Sequence, residues 1–519
     1  MKYKITDIKI PANSKEDVLN YVKNKFKISD LKDFKIYKRS IDARNKSDVK
    51  IIYQVVVETN KDLSKFKNVT IFKEDKPIVY NEWKFKDRPV IVGFGPAGMF
   101  CALYLARCNA KPIIIERGSC VEQRTKDIEE FYQNKKLNTE SNVLFGEGGA
   151  GTFSDGKLTT NLNDPLIKEI LKDFHKFGAS EEVTYDAMPH VGSDVLCEVV
   201  KNLRNEIISL GGEIYFNTLF TNYENVNDEL IVETSKAKFV TKHLFLGLGH
   251  SAYDTIKTLY NKGLKMEPKS FSVGVRVEHK ASYIDYLQYA DFAKYLPRAY
   301  YKIAVHLKER SVYSFCMCPG GYVMATTNDE NSIVTNGMSN SKRDASNSNA
   351  ALLVDINPSD YYKGNVLDGF EFQKSIERLA FEVSHDYKAP ANLMKEFVEG
   401  TVASTIRSVT PSYPHGVVLT DLNKVLPNYV CDALKEGILK INERMPGFYH
   451  EDAVLTGVES RSSSPVRILR NENKVACDMV YPIGEGAGYA GGITSAALDG
   501  IKSAMKCMEE VYEWDVTKV

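Results

Sequence analysis

The sequence predicts an α/β protein built from a nucleotide-binding domain, an α+β domain inserted into it and a small N-terminal α+β domain. Three observations predict this fold class. A β-branched segment near residue 90 leads into a glycine-rich turn and a helix-like segment, glycine-rich segments recur at 145–157 and 480–500, and the first 84 residues have an α+β pattern of their own. The 519 residues also exceed one core, because single cores stop growing at about 250–300 residues.

Residues 1–84 are predicted to form the N-terminal domain, of β-α-β-β type. Ser14 has a side chain preferred at helix N-caps, and the helix is expected to extend to about Phe26. We interpret this domain as a packing or oligomerisation module, followed by a polar linker at 81–88. Its predicted strands, from alternating or β-branched side chains, are 4–10, 34–40 and 50–58.

The turn after the next strand has the spacing Gly-x-Gly-x-x-Gly, which is typical of dinucleotide-binding units. Gly93 allows the tight turn, Gly95 lets the backbone approach a pyrophosphate, and Gly98 lets the helix pack on the strand. Glu116, at the end of the following strand, is placed to accept a hydrogen bond from a ribose 2′-hydroxyl. Because that hydroxyl must be free, the pattern favours FAD or NAD over NADP.

Pro96 and Ala97 begin the helix of this unit, whose N-terminus faces the phosphates with free N–H groups and the positive end of the dipole. The uncharged segment 89–106 is close to the length of a membrane span. Pro96 and two glycines lie in its middle, so a buried strand joined to a buried helix explains it better. We therefore expect no membrane-spanning helix and assign 85–265 to the first part of the FAD-binding domain.

A second glycine-rich segment, residues 145–157, is predicted to wrap the same ligand. Its small residues rule out a regular helix or strand core, and such backbone presents N–H groups to a ligand. Thr152 and Ser154 add hydroxyls, whereas Lys157 and Arg124 are candidates for the cofactor phosphates. A flexible surface loop is the alternative, although the segment carries phenylalanines that a solvated loop would avoid. The predicted contacting backbone comprises Gly148, Gly149, Ala150 and Gly151.

Residues 243–250 predict a strand that ends near the cofactor. Gly249 would allow the close approach, and a plain strand-to-turn transition is the alternative. Outside the three glycine-rich segments, no further Gly-x-Gly-x-x-Gly follows a strand, so a separate NAD(P)H domain is not predicted.

The third glycine-rich segment, 480–500, joins a short apolar strand to a helix of small residues. This order suits the flavin half of FAD. Glu485 would hold a ribityl hydroxyl, and the helix N-terminus would stabilise negative charge at the flavin N1–C2=O edge. A glycine-rich helix packed on a sheet is the alternative. We assign 266–452 to the inserted substrate domain and 453–519 to the FAD-binding domain. The residues proposed around the acid and the helix start are Gly484, Gly486, Gly491, Gly492 and Ile493.

Composition argues against a polyanionic partner. Lysine plus arginine equal aspartate plus glutamate at 68 each, and we find no basic stripe with interleaved aromatic residues, so no nucleic-acid partner is expected. Nine scattered cysteines and no evident signal peptide favour reduced thiols in the cytoplasm. The cysteine spacing suggests no metal site.

Several blocks of the sequence carry a resemblance to a known family. They are 116–118, 145–158, 189–192, 249–252, 272–279, 313–321, 336–339 and 457–467. These blocks resemble the poorly characterised FAD-dependent dehydrogenases, often labelled NAD(FAD)-utilising dehydrogenases, over nearly the whole chain. The block around Glu116 adds Arg117 to the cofactor candidates.

The resemblance implies a bound FAD, a glutathione-reductase-like Rossmann domain and a substrate-facing insertion, but no particular substrate. The flavin is expected to be non-covalent, because no histidine or cysteine lies in a recognisable attachment motif. The chain departs from the pattern at Gly247-Leu-Gly, where the family has Ala-Thr-Gly, and at Asn392, where a glutamine is expected.

Four residues of the inserted domain are candidates for catalysis: Arg276, His279, Cys316 and Cys318. In a strand, Arg276 shares a face with Glu278, so a salt bridge between them is the structural alternative. His279 could titrate near neutral pH, but a lone histidine more often serves structure. Cys316 and Cys318 could form a strained disulfide, although burial as small apolar residues is the commoner outcome.

Three arginines before the third glycine segment could hold an anionic substrate near the flavin. They are Arg461, Arg467 and Arg470, together with the serines at 462–464.

Our leading hypothesis is a cytoplasmic FAD-dependent oxidoreductase that transfers a hydride between flavin and a small organic substrate. NADH, NADPH or an electron-donor protein such as ferredoxin would supply electrons transiently. The alternatives are an FAD-dependent RNA-modifying or RNA-binding protein, and a non-catalytic flavin sensor or assembly factor.

Overall fold

The protein is described by a computed structural model that covers residues 1–74 and 78–516. It is mixed α/β, as the sequence predicts. Across these two ranges, no helix combines the length and apolarity needed to cross a membrane.

The N-terminal domain is a four-stranded antiparallel sheet with one helix packed against it. Its elements are β1 (Lys2–Pro11), α1 (Val18–Phe26), β2 (Asp33–Asp42), β3 (Lys50–Glu58) and β4 (Val69–Ile71). The strand order is β2-β3-β1-β4, and β4 is a strand that the sequence pattern did not predict. The helix begins later than predicted, because Asp17 and not Ser14 is the N-cap: its carboxylate accepts the backbone N–H groups of Leu19 and Asn20.

The nucleotide-binding part is built on a five-stranded parallel sheet. Its first elements are β5 (Val90–Val92), α2 (Pro96–Arg107), β6 (Ile113–Ile115), α3 (Val121–Asn134), α4 (Leu166–Lys176), α5 (Ser193–Ser209) and β7 (Glu213–Tyr215). An antiparallel three-stranded sheet follows, and then one more parallel strand and a helix. These are β8 (Phe220–Val226), β9 (Glu229–Thr234), β10 (Lys238–Thr241), β11 (Leu244–Leu246) and α6 (Tyr253–Asn261).

The inserted part is organised by a seven-stranded, mostly antiparallel sheet. Helices α9 (Asp368–Glu382) and α11 (Asn428–Arg444) pack on this sheet through a large apolar core that includes Val275, Leu352 and Ile438. The elements from the entry strand onward are β12 (Met266–Pro268), β13 (Phe271–Lys280), α7 (Ala281–Tyr289), β14 (Ala304–His306), β15 (Ser311–Cys318), β16 (Tyr322–Ala325), β17 (Thr335–Met338), β18 (Asn347–Ile356), α8 (Pro358–Tyr361), α9 (Asp368–Glu382), β19 (Ala389–Leu393), α10 (Met394–Glu399), β20 (Val417–Leu419), α11 (Asn428–Arg444) and β21 (Val454–Glu459).

The chain returns to the parallel sheet through β22 (Val466–Ile468), β23 (Val480–Pro482) and α12 (Ile493–Val516). The parallel sheet has the order β23-β11-β5-β6-β7, and the seven-stranded sheet has the order β14-β15-β18-β13-β21-β19-β20. Strands β12 and β22 pair antiparallel where the chain passes between the two sheets.

Strand β21 lies in the seven-stranded sheet, where Thr456 pairs with Arg276 of β13. The sequence-based boundary between 452 and 453 placed this strand in the nucleotide-binding domain. A short apolar run does not reveal which of two sheets it will join, because both would bury it equally.

Candidate functional site

One large cavity lies at the carboxyl ends of the parallel strands and reaches the seven-stranded sheet. Its volume is about 980 Å³, near the upper end of the range for small-molecule sites. Ligands of open α/β sheets bind at this edge of the sheet. The walls come from the β5–α2 turn, the segment 144–162, the loop 247–252, the start of α12 and one end of β15.

Glu116 holds two glycine-rich segments together at one end of the cavity. It is 5% exposed, and its carboxylate accepts backbone N–H hydrogen bonds from Phe94 (2.8 Å), Gly118 (2.9 Å) and Gly146 (3.0 Å). An ionised carboxylate offers about four acceptor positions, so Glu116 retains capacity for a ligand hydroxyl on the cavity side. Sequence reasoning predicted the ribose contact but missed these three backbone hydrogen bonds to Glu116.

The predicted glycines fall into two groups according to their surroundings. A Cβ on Gly93 would lie 2.2 Å from the carbonyl oxygen of Gly247, and one on Gly98 would lie 2.0 Å from that of Gly93. These two glycines therefore allow the turn, helix and strand to pack closely. By contrast, a Cβ on Gly249 or Gly491 would meet no described atom within 4 Å, and both residues line the cavity. The space beside them fits a cofactor that approaches the backbone closely.

Arg124 fixes the second glycine-rich segment from behind. Its buried guanidinium donates to the carbonyl oxygens of Asn142 (2.8 Å), Glu147 (2.5 Å), Val143 (2.8 Å) and Gly149 (3.0 Å). Burial lowers the pKa of Arg124 to about 10. The predicted contact of Arg124 with cofactor phosphates is corrected accordingly: its donors are used inside the segment, and it does not line the cavity.

Arg117 lines the cavity, but carboxylates already occupy its guanidinium. It donates to both oxygens of Glu140 and of Asp254, and it lies 4.0 Å from the ring centre of Phe145. The guanidinium of Arg117 therefore contributes its planar face to this end of the cavity, because its hydrogen-bond donors are used by Glu140 and Asp254.

Glu485 is the acid of the third glycine-rich segment, and it lines the cavity close to the start of α12. Within the part of the chain that the structure describes, no group donates a hydrogen bond to its carboxylate. Burial raises the pKa of Glu485 to about 7, against the opposing charge of Lys269. The nearby Asp499 is already bonded by the Gly484 N–H group (2.8 Å) and by Arg470. Glu485 is thus the acid that is available for a ligand hydroxyl.

An ionic cluster lies at the other end of the cavity, around Asp155. This buried carboxylate is 3.0 Å from Arg343, 3.6 Å from Lys157 and 3.7 Å from His190. Burial would raise the pKa of Asp155, but the charges of Lys157 and Arg343 outweigh burial and hold it below its ordinary value. The Lys157 ammonium lies 4.8 Å from the centre of the Tyr300 ring and, among the described residues, has no hydrogen-bond acceptor.

Cys316 lines the cavity beside this cluster, and Cys318 is buried behind it. The pairing of β15 with β18 shifts register between Phe315 and Cys318, and Cys316 has a φ of 41°. The Cys318 thiol donates to the Cys316 carbonyl oxygen at 3.2 Å. Both cysteines are free thiols in this structure.

Arg276 and His279 are buried behind the cavity and do not line it. Arg276 donates to both oxygens of Glu459 (2.5 and 2.7 Å) and to the Cys316 carbonyl (2.8 Å). Its ion-pair partner is therefore Glu459 of β21 and not Glu278. Nε2 of His279 lies 2.8 Å from the Phe448 carbonyl oxygen, and burial lowers the pKa of His279 to about 4. Direct contact of either residue with a substrate in the cavity is therefore not supported.

The three arginines proposed to bind an anionic substrate have protein partners. Arg470 bonds both oxygens of Asp499, and Arg467 lies 3.3 Å from Glu267 on the surface. Arg461 lines the cavity, yet its guanidinium donates to both oxygens of Glu377. The prediction of a free arginine group is corrected for all three, since carboxylates satisfy their charge.

The cavity thus gathers most of the predicted cofactor residues and one of the four predicted catalytic residues, Cys316. The predicted cofactor residues that line it are Gly93, Gly95, Pro96, Ala97, Glu116, Arg117, Gly149, Ala150, Gly151, Ser154, Lys157, Gly249, Glu485, Gly491, Gly492 and Ile493. Those that lie in the protein around it are Gly98, Arg124, Gly148, Thr152, Gly484 and Gly486.

Sequence reasoning did not single out several other residues that line the cavity, among them His250, Tyr300, Lys302 and Asn336. His250 and Asn336 lie in blocks that carried the family resemblance, and those blocks were the available signal. Tyr300 and Lys302 lie between regular elements, where no periodic pattern indicates the direction of a side chain.

Comparison with known proteins identifies relatives of this chain. An uncharacterized protein of Clostridium beijerinckii is 44% identical over 497 residues, which cover 93% of each chain. Residues 270–462 match the family described as FAD-dependent protein, C-terminal domain-like, and residues 2–58 match a domain of unknown function. The first of these matches includes β21, in agreement with the place of that strand in the seven-stranded sheet.

Solved structures resemble the chain only weakly. The halogenase PltM in complex with ethyl mercury and mercury is 9% identical, with 83% of this chain and 70% of that chain covered and a TM-score of 0.39. CtdE in complex with FAD is 11% identical, with 82% and 85% covered and a TM-score of 0.34. Such scores are too low to assign an activity.

Proposed function

The chain belongs to the same family as the uncharacterized Clostridium beijerinckii protein and contains a match to the FAD-dependent protein, C-terminal domain-like family; from this premise, we propose that it is an FAD-dependent oxidoreductase. In this proposal it binds FAD non-covalently in a Rossmann-type domain and transfers a hydride between the flavin and a small organic substrate. The inserted domain closes the substrate side of the site.

The observation that carries the proposal is the continuity of the cavity. One space of about 980 Å³ joins the Gly93–Gly98 turn, the acid Glu485 and the start of α12 to residues of the seven-stranded sheet. A dinucleotide in an extended conformation needs such a continuous path along the carboxyl edge of the sheet. A plain structural role for three glycine-rich segments would not require them to share one cavity.

The residues present suit the successive parts of FAD. Glu116 would accept a ribose hydroxyl with the acceptor position that its three backbone donors leave free. Gly95 is the N-cap residue of α2 and has no side chain to cap the helix. An uncapped helix N-terminus of this kind suits the binding of a pyrophosphate. Glu485 would accept a ribityl hydroxyl, and the N-terminus of α12 would favour negative charge on the reduced ring. When bound, FAD supplies the two-electron hydride chemistry that no side chain provides.

The substrate would lie between the flavin ring and the wall formed by Tyr300, Ser314 and Cys316. Lys157 and Lys302 both line this end of the cavity and give it positive charge. Of the two, Lys302 is exposed. NADH, NADPH or an electron-donor protein would reduce the flavin transiently, and the cytoplasm remains the proposed location.

The first test is the flavin content of the purified protein. We expect flavin absorbance bands, and release of about one FAD per chain on denaturation. Gly491→Leu should reduce FAD content strongly without unfolding, because its side chain enters the space beside α12 and no described atom lies within 4 Å of the added Cβ. Gly491→Ala is the matched control and should retain more FAD. A protein that neither contains nor takes up FAD would disprove the proposal.

The second test is anaerobic reduction of the bound flavin by NADH, NADPH or reduced ferredoxin, followed by a screen of small acceptors. Steady-state turnover with one donor and acceptor pair is the expected result. Flavin that is reduced but never turns over would instead favour the sensor hypothesis, and salt-dependent tRNA binding would favour the RNA-modifying one.

A further inference from the structure

Lys157 presents a buried positive charge to the wall of the cavity that carries Cys316. Its ammonium is 3.6 Å from Asp155 and, within the described ranges, makes no hydrogen bond. An ammonium buried without an acceptor is costly. Arg343 also pairs with Asp155, so two cations share its single charge, whereas burial lowers the pKa of the nearby His190 to about 4 and leaves it neutral. The cluster therefore favours one more negative charge next to Lys157.

Cys316 and Cys318 are the groups that can provide this charge, and the Cys318 thiol lies 3.2 Å from the Cys316 carbonyl oxygen. The bulge between Phe315 and Cys318 breaks the regular pairing of β15, and Cys316 adopts a φ of 41° there. Two residues apart in a regular strand, Cα atoms are about 6.6–6.8 Å apart, at the limit of the about 4.4–6.8 Å that disulfides span. The bulge removes this regular spacing and turns the Cys318 thiol back toward the backbone of Cys316.

The charged groups around the pair favour a thiolate at Cys316. Interaction with the Cys318 thiol, together with the charges of Lys157 and Arg276, lowers the pKa of Cys316 against burial and the charge of Asp155. The negative charge of Glu459 is balanced by Arg276, which donates two hydrogen bonds to it. Burial, followed by interaction with Cys316, raises the pKa of Cys318. These shifts favour a thiolate at Cys316, which lines the cavity, and a protonated thiol at Cys318, which is buried behind it.

We propose that Cys316 and Cys318 form a redox-active thiol pair and that the substrate class of this cavity is a small disulfide. The Cys316 thiolate attacks one sulfur of the disulfide RSSR, which forms a mixed disulfide and releases RS⁻. Cys318 then gives up its proton and attacks the Cys316 sulfur, which closes the Cys316–Cys318 disulfide and releases the second RS⁻. RSSR gains two electrons, the cysteine pair loses two, and the Cys318 proton goes to a leaving thiolate.

Return of the pair to the thiol form takes two electrons and one proton. In this step the inference rests on the proposed function, because reduced flavin is the two-electron donor. The thiol exchange itself needs no flavin, so the two proposals can be tested separately.

The test uses the chromogenic disulfide dithionitrobenzoate with the full-length protein, with and without FAD. We expect a fast phase that releases about two coloured thiolates per chain from the wild type, about one from Cys318→Ser and none from Cys316→Ser. The wild-type product should be lighter than the reduced protein by two hydrogen atoms and carry no adduct. Cys120→Ser removes another partly exposed cysteine and should leave the fast phase unchanged.

Lys157→Met tests the electrostatic part of the proposal. It should slow the fast phase about tenfold near pH 7 and much less near pH 9, where ordinary thiols ionise. A single-thiolate release from the wild type, or a fast phase that survives in Cys316→Ser, would overturn the inference. If the protein binds and reduces flavin but lacks the fast phase, only this inference fails. If the fast phase is present but FAD is never bound, the proposed function fails instead.

Discussion

The three backbone hydrogen bonds to Glu116 show how one residue can serve both the ligand and the fold. The sequence suggests that Glu116→Ala should only weaken FAD binding, by roughly ten- to a hundredfold, with the fold intact. In the structure, the same change also leaves the N–H groups of Phe94, Gly118 and Gly146 without their acceptor. Each unsatisfied buried donor costs about 1–3 kcal/mol, so the stability of the apoprotein also depends on this carboxylate.

We therefore predict that Glu116→Ala lowers the free energy of unfolding of the apoprotein by at least about 2 kcal/mol, besides weakening FAD binding. Urea denaturation and FAD titration on the same preparation measure the two effects. Glu116→Gln keeps one carbonyl acceptor and should fall between the wild type and Glu116→Ala. Wild-type stability in Glu116→Ala would show that the backbone donors find other partners.

Glu485 makes a prediction about pH. Its pKa is raised by burial to about 7, so the folded protein favours the neutral acid more than the unfolded chain does. The stability this gives is fully present below the ordinary pKa of about 4.3 and is lost as pH rises through about 7. Relative to Glu485→Gln, the wild-type apoprotein should thus be about 1–2 kcal/mol less stable at pH 8 than at pH 4, after allowance for solvent in the cavity.

Urea midpoints of both proteins across this pH range give the comparison. The difference between wild type and Glu485→Gln isolates this residue, because Glu147 and Glu459 also have raised pKa values and titrate in both proteins. A difference that does not change with pH would mean that Glu485 is well solvated in the apoprotein.

At the scale of elements, helix α3 and the glycine-rich segment behind it form one unit through Arg124. Besides the packing of Val143, Leu144 and Phe145, the shape of the segment 142–149 depends on the four carbonyl groups that Arg124 binds. Arg124→Met should free these carbonyls, loosen the segment and lower FAD affinity. Lysine should not rescue it, because one ammonium cannot reproduce the planar fork of arginine.

Hydrogen exchange of residues 142–149 measures this prediction, with an expected loss of about 2–4 kcal/mol of local stability in Arg124→Met. Lys126→Met changes an exposed lysine of the same helix and should have no effect. Unchanged exchange in Arg124→Met would show that Glu116 and the packing of the apolar side chains hold the segment without Arg124.

The elements also show what a sequence can and cannot reveal. The turn at Gly93–Gly98 and the strand pattern at 50–58 were predictable, because spacing and periodicity are local properties of the chain. The functions of Arg124 and Arg276 were not, since a guanidinium that binds carbonyls and one that binds a ligand look alike in the sequence. The same holds for β21, whose sheet is decided by long-range pairing with β13.

At the scale of the whole molecule, the N-terminal domain supports one wall of the cavity. The Arg39 N–H group of β2 donates to the Tyr185 carbonyl, and the Ala187 N–H group donates to the Arg39 carbonyl, both at 2.8 Å. Ala187 and Met188 in turn line the cavity. Ile41 of the same strand packs against the core of the inserted domain. The sequence suggested a packing or oligomerisation module, and these contacts show packing of this domain next to the site.

Arg39→Ala should loosen this wall without unfolding the protein. The side chain bonds Glu182 (2.9 Å) and Asp186 (2.7 Å), and such partly exposed ion pairs contribute up to about 1 kcal/mol. Amide exchange at 185–188 should therefore rise about fivefold. Arg44→Ala is the matched control, because it removes an ion pair with Asp42 from the same domain with an arginine that is 90% exposed. If both variants exchange alike, the backbone pairing of Arg39 alone holds the wall. If only Arg39→Ala exchanges faster, its side chain couples the N-terminal domain to the cavity.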